Sequence, residues 1–286
     1  MYTANPAASL LLTGLLASNA PIAVGGDDAS RFAVYYAADA ELDALEPYEL
    51  LVLDADHHPD LGALASRGKT LLGYLSLGEV SSQRAHFHAV QADGILLEEN
   101  RNWPGSFLVD VRSEAWKTRV CRELAPSILD RGFDGLFLDT LDNPSYLERS
   151  HPERYRGMSH AAVELVLELR RHFPDALLMM NRAYELLPRL ASDIDFVLGE
   201  SVRADYDFGT KRYFLVDQAI YQSQVERLQA AVAMAPALEV FTLDYWDPDD
   251  FVGIASIYEQ QRANGFEPYV ATVELDRIVP EPEKQK

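Results

Sequence analysis

The chain has 286 residues, of which 48% are hydrophobic and 24% charged, and a formal net charge of −20. That balance excludes a disordered chain, allows one large domain, and makes nucleic acid and anionic membrane surfaces poor partners while favouring a cationic one. A single cysteine, Cys121, rules out an intrachain disulfide or a CxxC metal site and reads as a small core residue.

Residues 1–30 read as a leader. An apolar stretch from Ala8 to Ala17 precedes small residues at Ser18-Asn19-Ala20, which favours export to the periplasm or beyond. No Lys or Arg precedes that stretch, and it is too short to span a bilayer. No other segment reaches transmembrane length.

From Arg31 onward short apolar runs alternate with amphipathic segments. The runs are Phe32–Ala37, Leu50–Ala55, Thr70–Leu77, the run within Gly132–Asn143, Ala176–Met180, Phe196–Gly199, Val240–Leu243 and Pro268–Val273. Continuous apolar runs without alternation suit parallel strands covered on both faces. Helical patterns fall between them at His58–Arg67, Ser113–Arg131, Ser159–Phe173, Ala183–Leu190, Gln218–Met234 and Asp249–Ala263. Ser113 is an N-cap candidate, and Pro126 should interrupt its helix. Eight strands with intervening helices predict a single α/β domain, a (β/α)8 TIM barrel over residues 31–276. A doubly wound sheet is the alternative, but no glycine-rich nucleotide-binding turn occurs. Ser81–Ser106 is long for one connection and suggests an elaborated loop, followed by a possible extra strand at Phe107–Val111. The Pro-rich, charged segment 277–286 is expected to fray.

A barrel places its reactive groups at the C-terminal ends of its strands. Six successive runs end in or just before a polar group: Asp54, Glu79, Asp139, Asn181, Glu200 and Asp244. Acids have no packing reason to end apolar strands. Two of them, Asp139 and Glu200, sit two strands apart and form a candidate pair for glycoside hydrolysis. Asp142, three residues beyond Asp139, is expected to orient the loop or a substrate amine. Tyr35, Tyr36, Tyr74, Trp103, Tyr184, Tyr206, Tyr245 and Trp246 lie near the same rim, with Tyr36, Tyr245 and Trp246 the best candidates for sugar stacking. Asp54, Asp56 and His57 could support a metal-dependent deacetylase, but adjacent histidines diverge and no other strand ends in a histidine. No metal and no cofactor is expected. A binding barrel that grips a polysaccharide without cutting it is the other alternative.

Four segments in order carry a resemblance: YLSLGEV (Tyr74–Val80), GFDGLFLDTLDN (Gly132–Asn143), MNRAYELL (Met180–Leu187) and LGES (Leu198–Ser201). They resemble glycoside hydrolase family 114 and the related PelA-type barrels of family 166, over about Phe32–Glu274. The resemblance implies an endo-acting α-1,4-galactosaminidase that cleaves partly deacetylated, cationic galactosamine polymers of biofilm exopolysaccharide. It implies Asp139 as nucleophile and Glu200 as acid/base, with Glu79, Asn181 and Asp244 lining the groove. A cationic amino-sugar polymer matches the acidic chain.

Overall fold

A computed structural model describes residues 31–283. Residues 1–30 and 284–286 lie outside the described residues, and with them the expectation of a leader carrying an export signal. Among the described residues, no helix is long and apolar enough to cross a membrane.

Eight parallel strands form one sheet in chain order. They are β1 (Phe32–Tyr35), β2 (Leu50–Leu53), β3 (Thr70–Ser76), β4 (Gly135–Asp139), β5 (Leu177–Asn181), β6 (Phe196–Glu200), β7 (Glu239–Tyr245) and β8 (Glu267–Ala271). β8 returns to β1. The Arg31 amide donates to Glu267 Oε1 at 3.0 Å and the Tyr36 amide to the Leu275 carbonyl at 2.8 Å. The fold is a (β/α)8 barrel. All four residues of β1 and of β2 are buried, because helices cover the outer face while side chains fill the interior. Phe32, Phe196 and Phe241, from three different strands, bring their rings together near the strand N-termini, with Phe241 at 4.9 Å from Phe32 and 5.5 Å from Phe196. The interior there is packed side chain, so chemistry is left to the opposite end.

Gly135 opens β4 because nothing larger fits. A Cβ there would stand 2.1 Å from the Leu177 carbonyl oxygen of β5. The helix after Val111 starts where expected, with Ser113 capping the Trp116 amide. Pro126 does not break it. The helix passes through one π turn, Val120–Leu124, and continues as Ala125–Leu129; the wider turn accommodates the missing N–H. Cys121 lies in that turn, buried as expected.

Two inserts stand on the strand C-termini. Beyond β3, Glu79–Ser81, Leu96–Glu99 and Ser106–Val109 form a small antiparallel sheet, the elaborated loop anticipated from its length. Beyond β6, Ala204–Asp207 and Arg212–Leu215 form a hairpin. A helix at Asp142–Ser150, directly after β4, was not anticipated. The chain end also differs from expectation. Residues 277–283 are not frayed: Val279 is 4% exposed and packs with Ile254 and Tyr258, and Glu281 is ion-paired with Arg262. A buried valine anchors a segment whose composition is otherwise that of a tail.

Candidate active site

The last residues of β4, β5 and β6 are Asp139, Asn181 and Glu200. The Asn181 side-chain nitrogen donates to Asp139 Oδ1 at 2.9 Å and to Glu200 Oε2 at 2.6 Å. One neutral amide therefore holds both carboxylates. The facing oxygens can be no farther apart than the sum of those two bonds, which falls short of the roughly 6.5–9.5 Å of inverting pairs. The outer oxygens are also held: Tyr74 donates to Asp139 Oδ2 at 2.6 Å, and Tyr245 donates to Glu200 Oε1 at 2.6 Å. Tyr36 packs edge-on against Tyr74, ring centroids 5.4 Å apart. Burial, reinforced by the neighbouring carboxylates, pushes all three phenols well above their usual range, so they remain neutral donors. Burial and then the charge of Asp139 push the Glu200 carboxyl up, against the Asn181 and Tyr245 hydrogen bonds.

The backbone turns sharply beyond each of these residues. Thr140, Arg182 and Ser201 follow the three strand ends with φ of 64°, 53° and 55°. None is glycine, and left-handed backbone at such residues costs about 1–3 kcal/mol each. The strain is held locally. The Thr140 hydroxyl accepts from the Gly78 amide at 2.7 Å, and the Ser201 hydroxyl donates to Asp205 at 2.9 Å.

Asp139, Asn181, Glu200 and the three tyrosines line a cleft of about 900 Å³ at the barrel mouth. Glu79 faces it, 6% exposed, with its Oε1 accepting from Asn100 at 2.7 Å and Asn143 at 2.6 Å. Asp142 lies on the same wall with its carboxylate 3.8 Å from Arg182 Nε. Burial raises its pKa, Arg182 opposes that shift, and the charge of Asp139 adds to it. Asp54 lines the cleft but is paired with Arg84 at 2.5 Å, and Arg84 also binds Asp56 at 2.7 Å. Arg131 holds the other Asp56 oxygen at 2.7 Å. Burial pushes both carboxyls up, but the hydrogen bonds and charges of the arginines, joined at Asp54 by the Asp56 and His57 amides, together hold them below the usual carboxylate range. Their oxygens are occupied by guanidinium groups, and no cluster of three or more His, Cys, Asp or Glu side chains suited to a metal occurs among the described residues. The deacetylase reading of Asp54, Asp56 and His57 loses its ligand set.

Asp244 and Trp246 are corrected. Register pairs Leu243 with Glu200, so Leu243 and Tyr245 face the cleft and Asp244 points the other way. Asp244 is fully buried behind the barrel wall. One oxygen accepts from the Arg203 and Ala204 amides at 2.6 and 2.8 Å, and the other from Gln261 at 2.6 Å. Trp246 packs with Ile254 and Tyr258 outside the cleft, its indole donating to Asp250 at 2.9 Å. Burial pushes the Asp244 carboxyl up to about 6, from 3.8. The folded state thus prefers the protonated acid: that stabilisation is complete below pH 3.8 and is lost as pH rises through about 6. Asp244→Asn should therefore gain stability over the parent as pH rises from 5 to 8, by about 1–1.5 kcal/mol in urea unfolding, with KM little changed. Lost activity at unchanged stability would return Asp244 to substrate binding.

Arg84, Arg131, Arg182, Asn143 and Trp103 also line the cleft. Of these, Trp103 alone is among the rim residues read from the sequence, outside the three best stacking candidates. Tyr74 had a readable signal: it lies two residues before Ser76, the register partner of Asp139, and so shares its face.

The sequence profile of glycoside hydrolase family GH114 matches residues 17–285. The chain belongs to glycoside hydrolase family 114. Family 114 membership makes it a glycoside hydrolase. A protein of Deinococcus radiodurans described only as uncharacterised is 26% identical over 245 residues, 82% of this chain and 76% of the relative. The glycoside hydrolase domain of PelA from Pseudomonas aeruginosa is 28% identical, with a TM-score of 0.76 over 87% of this chain and 97% of that one. Ega3 of Aspergillus fumigatus, solved in complex with galactosamine, shares the fold at 14% identity, with a TM-score of 0.64 over 87% of this chain and 94% of that one.

Proposed function

We propose that this family 114 hydrolase is an endo-acting enzyme on α-1,4-linked, partly deacetylated galactosamine exopolysaccharide, and that it cleaves with retention through Asp139 and Glu200. The observation that carries this reading is the Asn181 amide shared by both carboxylates, because it holds them near the about 5–5.5 Å of retaining pairs. Glu200, with its raised pKa, keeps a proton to give to the glycosidic oxygen as the bond to the anomeric carbon breaks. Asp139 attacks that carbon and forms a glycosyl ester. Glu200, now a carboxylate, takes a proton from water; the water oxygen attacks, and Asp139 leaves as the free carboxylate.

The substrate class follows from charge. The cleft is lined by eight carboxylates against three arginines, a balance that attracts ammonium groups and repels acidic glycans. A galactosamine unit also matches the ligand of Ega3. Export would bring the enzyme to such a polymer, and that part of the reading rests on the leader. A barrel that only binds would need the acidity and the aromatics, but has no use for two carboxylates held on one amide. Incubation of the purified protein with partly deacetylated α-1,4-galactosamine polymer should release short oligosaccharides, detectable by mass spectrometry. An intact polymer would refute the reading.

A further inference from the structure

The two inserts meet. Trp103 stands in the turn between the accessory strands Leu96–Glu99 and Ser106–Val109, and Phe208 at the tip of the hairpin beyond β6. Their ring centroids are 5.0 Å apart at 73°. One insert grows from the end of β3 and the other from the end of β6, and the strand order places β4 and β5 between them. The contact therefore joins two walls of the mouth around the strand ends that carry Asp139 and Asn181.

Both rings are costly to leave in water, yet Trp103 is 52% exposed and Phe208 47%. Each is presented by an ordered turn. The Trp103 turn is closed by the Ser106 amide on the Trp103 carbonyl at 3.0 Å, and Asn100 ties it to Glu79 in the cleft. The Phe208 turn is closed by the Gly209 and Thr210 amides on Asp207 at 2.8 and 2.9 Å. Behind Phe208 stands Tyr206 at 5.3 Å, and Tyr206 rests on Tyr213 at 5.0 Å. The result is a braced aromatic arm that reaches Trp103, which itself lines the cleft of the carboxylate pair.

We propose that Trp103 and Phe208 form a clamp that stacks on a hexosamine ring of the bound polymer, at a subsite removed from the point of cleavage. The edge-on contact leaves ring face free to meet the C–H face of a pyranose, and an ammonium substituent adds cation–π attraction. The clamp deepens the galactosamine-polymer reading and rests on it for the identity of its ligand, but not on cleavage.

The test is affinity electrophoresis of the full chain through gels containing partly deacetylated α-1,4-galactosamine polymer, at low salt and at salt that screens the acidic cleft. Wild type and Trp103→Phe should be retained. Trp103→Ala should weaken retention about fivefold to tenfold and Phe208→Ala about twofold to fivefold, and the deficits should persist at high salt. Unchanged thermal midpoints show that the variants fold. Equal retention of wild type and both alanine variants would overturn the clamp, as would a wild type that is not retained. Wild type retained by a polymer that stays uncut, with both alanine variants weakened, would refute the hydrolase reading and leave the clamp standing; polymer cut, with variants retained as tightly as wild type, would refute the clamp alone.

Discussion

Glu200→Ala should lower turnover of the polymer by roughly 10²–10⁴-fold, the usual worth of a positioned general acid. Its effect on an aryl α-galactosaminide should be divided between the two steps. An aryl leaving group departs with little help, so the glycosyl ester on Asp139 still forms. Its hydrolysis then lacks a base, and the ester accumulates. Azide needs no base and fits the space vacated by the glutamate, so it should restore turnover and yield a glycosyl azide of retained configuration. Asp139→Ala should show the mirror result. It has no ester to form, and azide entering from the vacated side displaces the aryl group once, giving the inverted azide. The two outcomes separate the roles of carboxylates that one amide holds at similar distances. Azide rescue of the opposite kind in each variant would exchange the roles. Full activity in both would remove the pair from the mechanism.

The second large effect is expected at Asn181. Its side-chain nitrogen places one N–H on each carboxylate and adds no charge of its own between them. Asn181→Asp keeps the shape and sets a third acid between two others. Repulsion should spread the pair, and a displacement of about 1 Å in a reacting group is worth about 10²-fold in rate. Loss of the Asn181 hydrogen bond and gain of a negative neighbour both raise the Glu200 pKa further. The active form carries the Glu200 proton, so the rate falls as pH rises through that pKa. The basic limb of the kcat/KM profile should therefore move to higher pH in the variant. A limb that stays fixed, or moves down, would show that Asn181 does not act on Glu200.

Much of this site is legible in the sequence because parallel barrel strands are apolar throughout. A polar residue closing such a run has no packing role, and Asp139, Asn181 and Glu200 stand out for that reason. The limit is the two-residue period of a strand. By its apolar run, Val240–Leu243 ends at Asp244, but β7 continues to Tyr245. One step along a strand reverses the face, so Tyr245 reaches Glu200 while Asp244 turns outward to Gln261. The arginines are not legible in the sequence for a different reason. Arg84 and Arg131 lie in an insert and a helix end, and only folding brings them to Asp54 and Asp56. The clamp is hidden in the same way, since Trp103 and Phe208 belong to inserts far apart in the chain. Val279 looked like part of a charged tail because composition does not show that a single valine finds a pocket.

Retention follows from the closeness of Asp139 and Glu200, and the direct test is the configuration of the first product. Proton NMR of an early digest of the α-linked polymer, recorded before mutarotation, should show new reducing ends in the α configuration. Reducing ends that appear first as β would require water between the carboxylates, and would contradict a pair held together by Asn181.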